Sequence, residues 1–174
     1  PFGWKELFGC AYRTDFDLKN HMEKSGEDLS YLDPETNEKF IPHVIEPTFG
    51  LSRLTLMALL EAYTEDEAPS AKGGTEKRTV MKFHPRIAPV QVAVLPLSKD
   101  ERLIAKAEEV YAMVSDQTHF RLEFDVTGSI GKRYRRQDEI GTPRCITVDF
   151  GTIGEDANQC KKDHVTVRER DFTL

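Results

Sequence analysis

Cysteine is scarce in this chain, with three residues (Cys10, Cys145 and Cys160) among 174, and no two of them form a C-x-x-C pair. This scarcity excludes a disulfide framework and a zinc ribbon, so we expect a reduced, cytoplasmic setting. Long apolar runs are also missing, since none approaches the roughly 20 residues that cross a bilayer. No secretory segment opens the chain. We therefore expect no membrane partner.

An excess of positive charge is missing as well. The chain has 24 Lys and Arg against 30 Asp and Glu, for a net charge of -6, which argues against a general nucleic-acid coat protein. A local basic patch remains possible, because binding depends on where the charges lie. The 39% hydrophobic content is enough for one good core or two small ones.

The densest site chemistry lies in residues 40–54. An apolar run containing Ile41, Val44 and Ile45 predicts a buried strand that ends at Glu46. Pro47 has no backbone donor, so we predict that the chain turns there instead of continuing a ladder. After Gly50, residues 51–63 predict an apolar helix. Its expected core positions are Leu54, Met57, Ala58 and Leu60.

Arg53 is the one charged residue in the first turn of this helix. A cation there opposes the helix dipole, which suggests that Arg53 faces an anionic ligand. A fixed carboxylate such as Glu46 suits an ammonium group, and a planar guanidinium suits phosphates or an adenine face. The alternative is a local structural ion pair between Glu46 and Arg53 on an ordinary strand-helix unit.

The remaining patterns divide the chain in two. Residues 3–10 predict a short strand carrying Glu6, residues 15–25 a helix stopped by Gly26, and residues 29–39 a hairpin. Residues 64–77 are polar and lack periodicity, so we expect a linker or mobile loop. Beyond it, strands at 90–95, 120–126, 146–150 and 164–168 surround a helix that starts at Ser98 or Asp100. This alternation predicts a largely parallel sheet.

Residues 127–136 form the strongest basic cluster. Helical spacing turns Ile130, Tyr134 and Ile140 inward, turns Lys132, Arg135 and Arg136 outward, and leaves Arg133 near the apolar edge. Outward cations beside a helix start can hold a nucleic-acid backbone, and an unstacked base can stack on an aromatic ring. The glycine spacing excludes a Walker loop. The alternative is a solvated basic face balanced by Asp138 and Glu139.

Residues 43–53 read HVIEPTFGLSR and resemble motif 3 of class II aminoacyl-tRNA synthetases, closest to the glycyl-tRNA synthetase family. Residues 4–18 (WKELFGCAYRTDFDL) resemble its segment before motif 3, and residues 89–98 and 128–143 its anticodon-binding domain. The resemblance covers essentially the whole chain. It implies an α/β protein in which residues 1–66 are the antiparallel-sheet part of an incomplete class II catalytic domain. Residues 67–88 would be a linker, and residues 89–174 a small anticodon-binding domain with a mostly parallel mixed sheet.

The resemblance implies ATP-dependent attachment of glycine to tRNA(Gly), with Mg²⁺ in the intact enzyme, which would be a homodimer that does not bind DNA. Arg53 and Glu46 would be the catalytic positions, and Arg53 would contact ATP together with Glu6, which could also hold Mg²⁺ or the substrate amine. Glycine would meet Glu46, Arg13 and Thr48, where the family usually has serine. No residue is assigned to a protein metal site. The tRNA contacts would be Lys132, Arg133, Tyr134, Arg135 and Arg136.

Two earlier motifs of class II synthetases are not visible in the sequence: one lies at the dimer interface and the other supplies a second arginine for the α-phosphate. We therefore predict that the chain by itself is inactive and cannot make glycyl adenylate. The alternative function is that of a non-catalytic accessory protein that reuses the synthetase scaffold to bind nucleic acid or a partner enzyme. Joint retention of Glu46, a hydroxyl at position 48 and Arg53 favours the enzyme.

Overall fold

The computed structural model describes residues 3–69, 73–156, 158 and 160–171. The chain folds into two compact units, Pro1–Leu56 and Met57–Leu174, and the polar segment at 64–77 belongs to the second. Among the described residues, no helix has the length and apolar character needed to cross a membrane. The predicted functional limits at 1–66, 67–88 and 89–174 stay a prediction.

The first unit is built on a two-stranded antiparallel ribbon of β1 (Phe8–Thr14) and β4 (Val44–Phe49). Helix α1 (Phe16–Ser25) follows β1 and ends at Gly26 in the left-handed conformation, as predicted. Strands β2 (Tyr31–Leu32) and β3 (Lys39–Phe40) form the predicted hairpin. Helix α2 (Leu51–Ala62) then begins directly after Gly50, also as predicted.

Two predictions for the ribbon are wrong. The first strand begins at Phe8, so Glu6 precedes it instead of lying within it. The ladder also does not stop at Pro47, which pairs with Cys10 before Phe49 pairs with Phe8. An edge strand tolerates proline because one side of its backbone makes no ladder bonds, and in the described part of the chain β4 pairs only with β1.

The burial expected for Ile45 and for two residues of α2 is also wrong. Ile45 is 66% exposed, and on α2 Met57 and Leu60 are 51% and 55% exposed. A two-stranded ribbon is too narrow to bury both of its faces by itself, because burial needs more strands or packing against a helix. Apolar pattern alone identified these residues as core candidates and could not show what covers them.

Of the segment predicted as a loop at 64–77, the described residues 64–69 and 73–77 are not structureless, and residues 70–72 lie outside the described residues. Strands β5 (Tyr63–Pro69) and β6 (Thr75–Met81) form an antiparallel hairpin in which Asp66 lies opposite Arg78. Two nitrogens of Arg78 donate to the Asp66 carboxylate at 2.7 Å, and Arg78 and Val80 are buried. The hairpin is stabilised partly by a charged pair, which explains why its composition indicated a linker.

The mostly parallel mixed sheet of the second unit is confirmed. Its strands are β7 (Val92–Pro96), β8 (Leu122–Phe124), β9 (Arg144–Val148) and β10 (Thr166–Glu169), in the order β10-β9-β7-β8. β7 is parallel to β8 and β9, and only β10 is antiparallel. Helix α3 (Glu101–Gln117) starts after Asp100, whose carboxylate accepts the Arg102 backbone N–H at 3.0 Å.

The helices α3 and α4 (Ile130–Ile140) cover opposite faces of this sheet. Val94 of β7 packs with Leu103 and Ala107 of α3, while its neighbours Ala93 and Leu95 pack with α4 residues. Those α4 residues are Ile130 and Tyr134, as predicted. Ile140 was expected to point inward but is 37% exposed, because it is the last residue of the helix.

Gly141 and Gly26 provide a matched pair of helix-terminal glycines. Both have positive φ, of 83° and 76°, so alanine at either site should cost about 1–2 kcal/mol of left-handed strain. A Cβ on Gly141 would also lie 2.5 Å from the Met81 carbonyl oxygen, whereas one on Gly26 meets nothing within 4 Å. We expect Gly141→Ala to lose about 1–3 kcal/mol more than Gly26→Ala in urea unfolding. Equal losses of stability in the two variants would show that the backbone near Met81 moves to accommodate the added Cβ at no cost.

Candidate functional site

One face of the β1–β4 ribbon is polar. Glu46 lies opposite Ala11 and Thr48 opposite Gly9, and alternate residues of a strand share a face. Arg13 reaches this face, because its Nε donates to Glu46 Oε2 at 2.7 Å. Both side chains are partly exposed, and the hydrogen bond to Glu46 raises the pKa of Arg13. An anion and a cation thus lie side by side where a small zwitterion could reach both.

The other ribbon face is aromatic. The Phe8 and Phe49 rings meet edge to face with centroids 5.3 Å apart, and the Tyr12 hydroxyl is hydrogen-bonded to His43 Nδ1. The two faces therefore differ in chemistry, as expected for a strand pair with one polar side. All three predicted glycine-site residues, Arg13, Glu46 and Thr48, belong to the polar side.

Arg53 is positioned by the segment that precedes β1. Its Nη1 donates to the backbone carbonyl of Glu6. Its aliphatic part lies near Gly50, since a Cβ built there would be 3.7 Å from Arg53 Cβ and Cδ. The same Cβ would be 3.1 Å from the Leu7 carbonyl, so glycine permits this close approach. The Arg53 side chain is exposed and chemically suited to phosphate or adenine.

Glu6 and Thr48 lie close together over Gly9. A Cβ built on Gly9 would be 3.1 Å from Glu6 Oε1 and 3.3 Å from Thr48 Oγ1. The structure therefore places the five predicted catalytic-segment residues in two sets. Arg13 bonds to Glu46 on the ribbon, and Glu6 lies near Thr48 and accepts from Arg53 through its backbone carbonyl. No group of three or more His, Cys, Asp or Glu among the described residues could hold a metal ion.

Arg133 lies in the interior of the second unit, and this burial contradicts the tRNA contact predicted for it. It is 0% exposed, and its guanidinium donates to the carbonyls of Pro96, Val126 and Gly128, the latter two at 2.8 and 2.9 Å. Burial lowers its pKa. Arg133 joins the end of β7 to the loop before α4 and has no surface to offer tRNA. We therefore do not carry its predicted tRNA contact forward.

The other members of the basic cluster keep part of their surface. Arg136 Nε donates to Asp125 Oδ2 at 3.0 Å, and Arg135 pairs with Glu76. Lys132 is exposed at the start of α4. The exposure of Lys132 agrees with the outward direction predicted for it, whereas Arg135 and Arg136 are only partly exposed and both are ion-paired.

Tyr134 is half-buried, and its ring is partly occupied. Its hydroxyl is hydrogen-bonded to Thr147, and the Arg168 guanidinium lies 4.9 Å above the ring centroid. A base could stack only on the part of the Tyr134 ring that Thr147 and Arg168 leave uncovered. Asp138 does not balance a solvated face, because it is buried between Arg78 and Arg168.

Sequence reasoning missed Asp125 and Arg168. Asp125 directly follows β8, and ligands of parallel sheets meet the carboxyl ends of strands, so its position was a usable signal. Hydrogen bonds from Arg136 and the Thr127 N–H outweigh burial and lower the pKa of Asp125. Arg168 gave no such signal, because nothing in its strand pattern indicates an ion pair with a helix.

The chain is similar to known proteins over most of its length. Residues 91–173 match the family model described as "Anticodon binding domain". The chain is 57% identical over 98% of its length to the glycine-tRNA ligase of Clostridium perfringens, and 56% identical over 97% to that of Thermobifida fusca. A similar protein from Corynebacterium efficiens is 55% identical over 97%. In each case the chain spans 34% of the relative's length.

Proposed function

Because the chain is homologous to glycine-tRNA ligases and its residues 91–173 belong to the anticodon-binding domain family, we propose that it is part of an enzyme that uses ATP to attach glycine to tRNA(Gly). One observation carries the proposal: Arg13, Glu46 and Thr48 share one ribbon face, with Glu6 and Arg53 at its end. The three relatives above are named as ligases, which gives no support to a non-catalytic accessory role.

In this proposal the ribbon binds the amino acid. Glu46 holds the glycine ammonium, and the adjacent Arg13 guanidinium faces its carboxylate. Thr48 contributes a hydroxyl, and its methyl group takes up volume that a larger side chain would need. Such volume effects discriminate modestly, so they supplement the polar contacts.

Arg53 contacts ATP, and Glu6 is the carboxylate that we assign to ATP or its Mg²⁺. When bound, Mg²⁺ would neutralise phosphate charge. The chain's own residues act by positioning the reactants and placing fixed charges, which together account for much of the catalysis of such transfers. We further propose a cytoplasmic homodimer, with residues 1–66 and 89–174 in the catalytic and tRNA-binding roles and residues 67–88 between them.

Pyrophosphate exchange tests the enzymatic proposal. The full-length ligase containing this chain should exchange pyrophosphate into ATP when glycine is present, and alanine should not replace glycine. The 174-residue chain alone should give no exchange. Failure of the full-length protein with glycine would contradict the function, whereas exchange by the isolated chain would contradict only its predicted incompleteness.

Lys132 supports the proposed tRNA contact by charge and exposure. We expect Lys132→Ala to weaken tRNA(Gly) binding and to reduce the slope of log affinity against log salt by about 0.7–0.9, because about one fewer counterion is released. Lys106→Ala is the matched control, since Lys106 lies on α3 at the opposite sheet face and pairs with Glu109. Filter binding at several salt concentrations measures both. An unchanged slope for Lys132→Ala would show that Lys132 does not contact tRNA phosphates.

A further inference from the structure

Gly9 has no assigned role, yet the side chains of Glu6 and Thr48 both lie close to it. A Cβ there would lie 3.1 Å from Glu6 Oε1, 3.6 Å from Glu6 Cδ and 3.3 Å from Thr48 Oγ1. Contacts of 3.1–3.3 Å are tighter than most real Cβ contacts, so any side chain would force the carboxylate or the hydroxyl to move by a few tenths of an ångström. The space above Gly9 is therefore what allows both groups to lie where they do.

The backbone gives no other reason for glycine at this position. Gly9 lies within β1 and pairs in register with Thr48, and it is not one of the described residues with positive φ. A β-branched residue suits such a strand position better than glycine does, on local preference alone. A glycine that its own strand does not favour points to a requirement for space.

We propose that Gly9 is a positioning residue, and that its missing side chain keeps Glu6 and Thr48 in place for ATP and glycine. This inference rests on the proposed function. The Glu6 carboxylate is the group assigned to ATP or its Mg²⁺, and the Thr48 hydroxyl is assigned to the glycine site, so one substituent on Gly9 meets a group of each site. Both substrates are therefore affected by one added methyl group.

The test uses Gly9→Ala and Gly9→Val in the full-length ligase, with exchange, stability and tRNA binding measured on each. We expect the KM values for glycine and ATP to rise by about tenfold for alanine and up to roughly a hundredfold for valine, since small misplacements in a site have such effects. Thermal stability should stay unchanged or rise, because valine suits a strand and alanine removes the extra backbone freedom of glycine. Affinity for tRNA should not change, since the variants leave the second unit intact.

Gly131→Ala is the matched control, because a Cβ at that helical position meets nothing within 4 Å. It should leave exchange unchanged. A folded Gly9→Val with wild-type KM values would overturn the inference while leaving the function intact. If Gly9→Val does not fold, the KM values of Gly9→Ala test the inference, and wild-type values would overturn it. If the wild-type ligase shows no glycine-dependent exchange, the proposed function fails, and the inference fails with it.

Discussion

Replacing Asp138 with asparagine is expected to destabilise the second unit by up to about 3–5 kcal/mol, because Arg168 loses its carboxylate partner and buried Arg78 keeps only Asp66. Asp138 is almost completely buried and accepts from Arg78 Nη1 at 3.1 Å and from two Arg168 nitrogens at 2.8 and 2.9 Å. Arg78 is equally buried. An asparagine of the same shape would keep one acceptor and turn an N–H₂ group toward a guanidinium.

Urea unfolding of the 174-residue chain, followed by circular dichroism, measures this loss. Glu139→Gln is the control, because Glu139 is the adjacent exposed acid of α4 and should change stability by less than about 0.5 kcal/mol. If Asp138→Asn loses less than about 1 kcal/mol, water or a rearranged partner replaces the carboxylate, and the network is not the anchor that its geometry indicates.

The same network explains why the hairpin belongs to the second unit. Arg78 of β6 bonds to Asp66 of β5 and to Asp138 of α4, and Arg168 of β10 completes the set. Hydrogen bonds from Arg78 lower the pKa of Asp66. A carboxylate whose pKa is lower in the folded protein stabilises the fold at every pH above its pKa in the unfolded chain. The contribution of Asp66 is therefore present at neutral pH and is lost as the pH falls through the lowered pKa.

Elements that bury apolar side chains could be predicted from the sequence. Helix α3 and strand β7 have regular hydrophobic patterns, and both form where the patterns indicate. The hairpin at 63–81 and the interior site of Arg133 were missed because charged side chains are buried there through ion pairs and carbonyl contacts. Hydrophobic periodicity does not detect such burial, since the partners are distant in sequence.

The candidate site shows a similar division. The sequence pattern alone allowed two interpretations of Glu46 and Arg53, a ligand site and a local ion pair. Only the family resemblance identified Glu6, Arg13 and Thr48 as further site residues. The structure supplies what neither gave, namely that Glu46 is paired with Arg13 and that Arg53 is held by the Glu6 carbonyl. These contacts depend on the register of β1 against β4, which the sequence could not fix because Pro47 suggested a turn.

Glu46→Gln should reduce glycine-dependent pyrophosphate exchange by the full-length ligase roughly 10²–10³-fold, the range found when one fixed electrostatic contact is removed from an active site. Glutamine keeps the shape but cannot neutralise an ammonium group, and Arg13 then keeps only the more distant Asp17 carboxylate. Stability should change little, because the Arg13–Glu46 pair is about 40% exposed on both sides and exposed pairs contribute little.

Asp17→Asn is the matched control for this variant. Asp17 also lies beside Arg13, with Oδ2 3.7 Å from its Nε, but it sits on α1 whereas Arg13 belongs to β1. If Glu46 acts by holding the substrate ammonium, Asp17→Asn should retain exchange while Glu46→Gln loses it. If Glu46 acts only by fixing Arg13, Asp17→Asn should also lose part of the activity, because Asp17 is the second carboxylate beside Arg13, and the direct contact between Glu46 and glycine would be wrong.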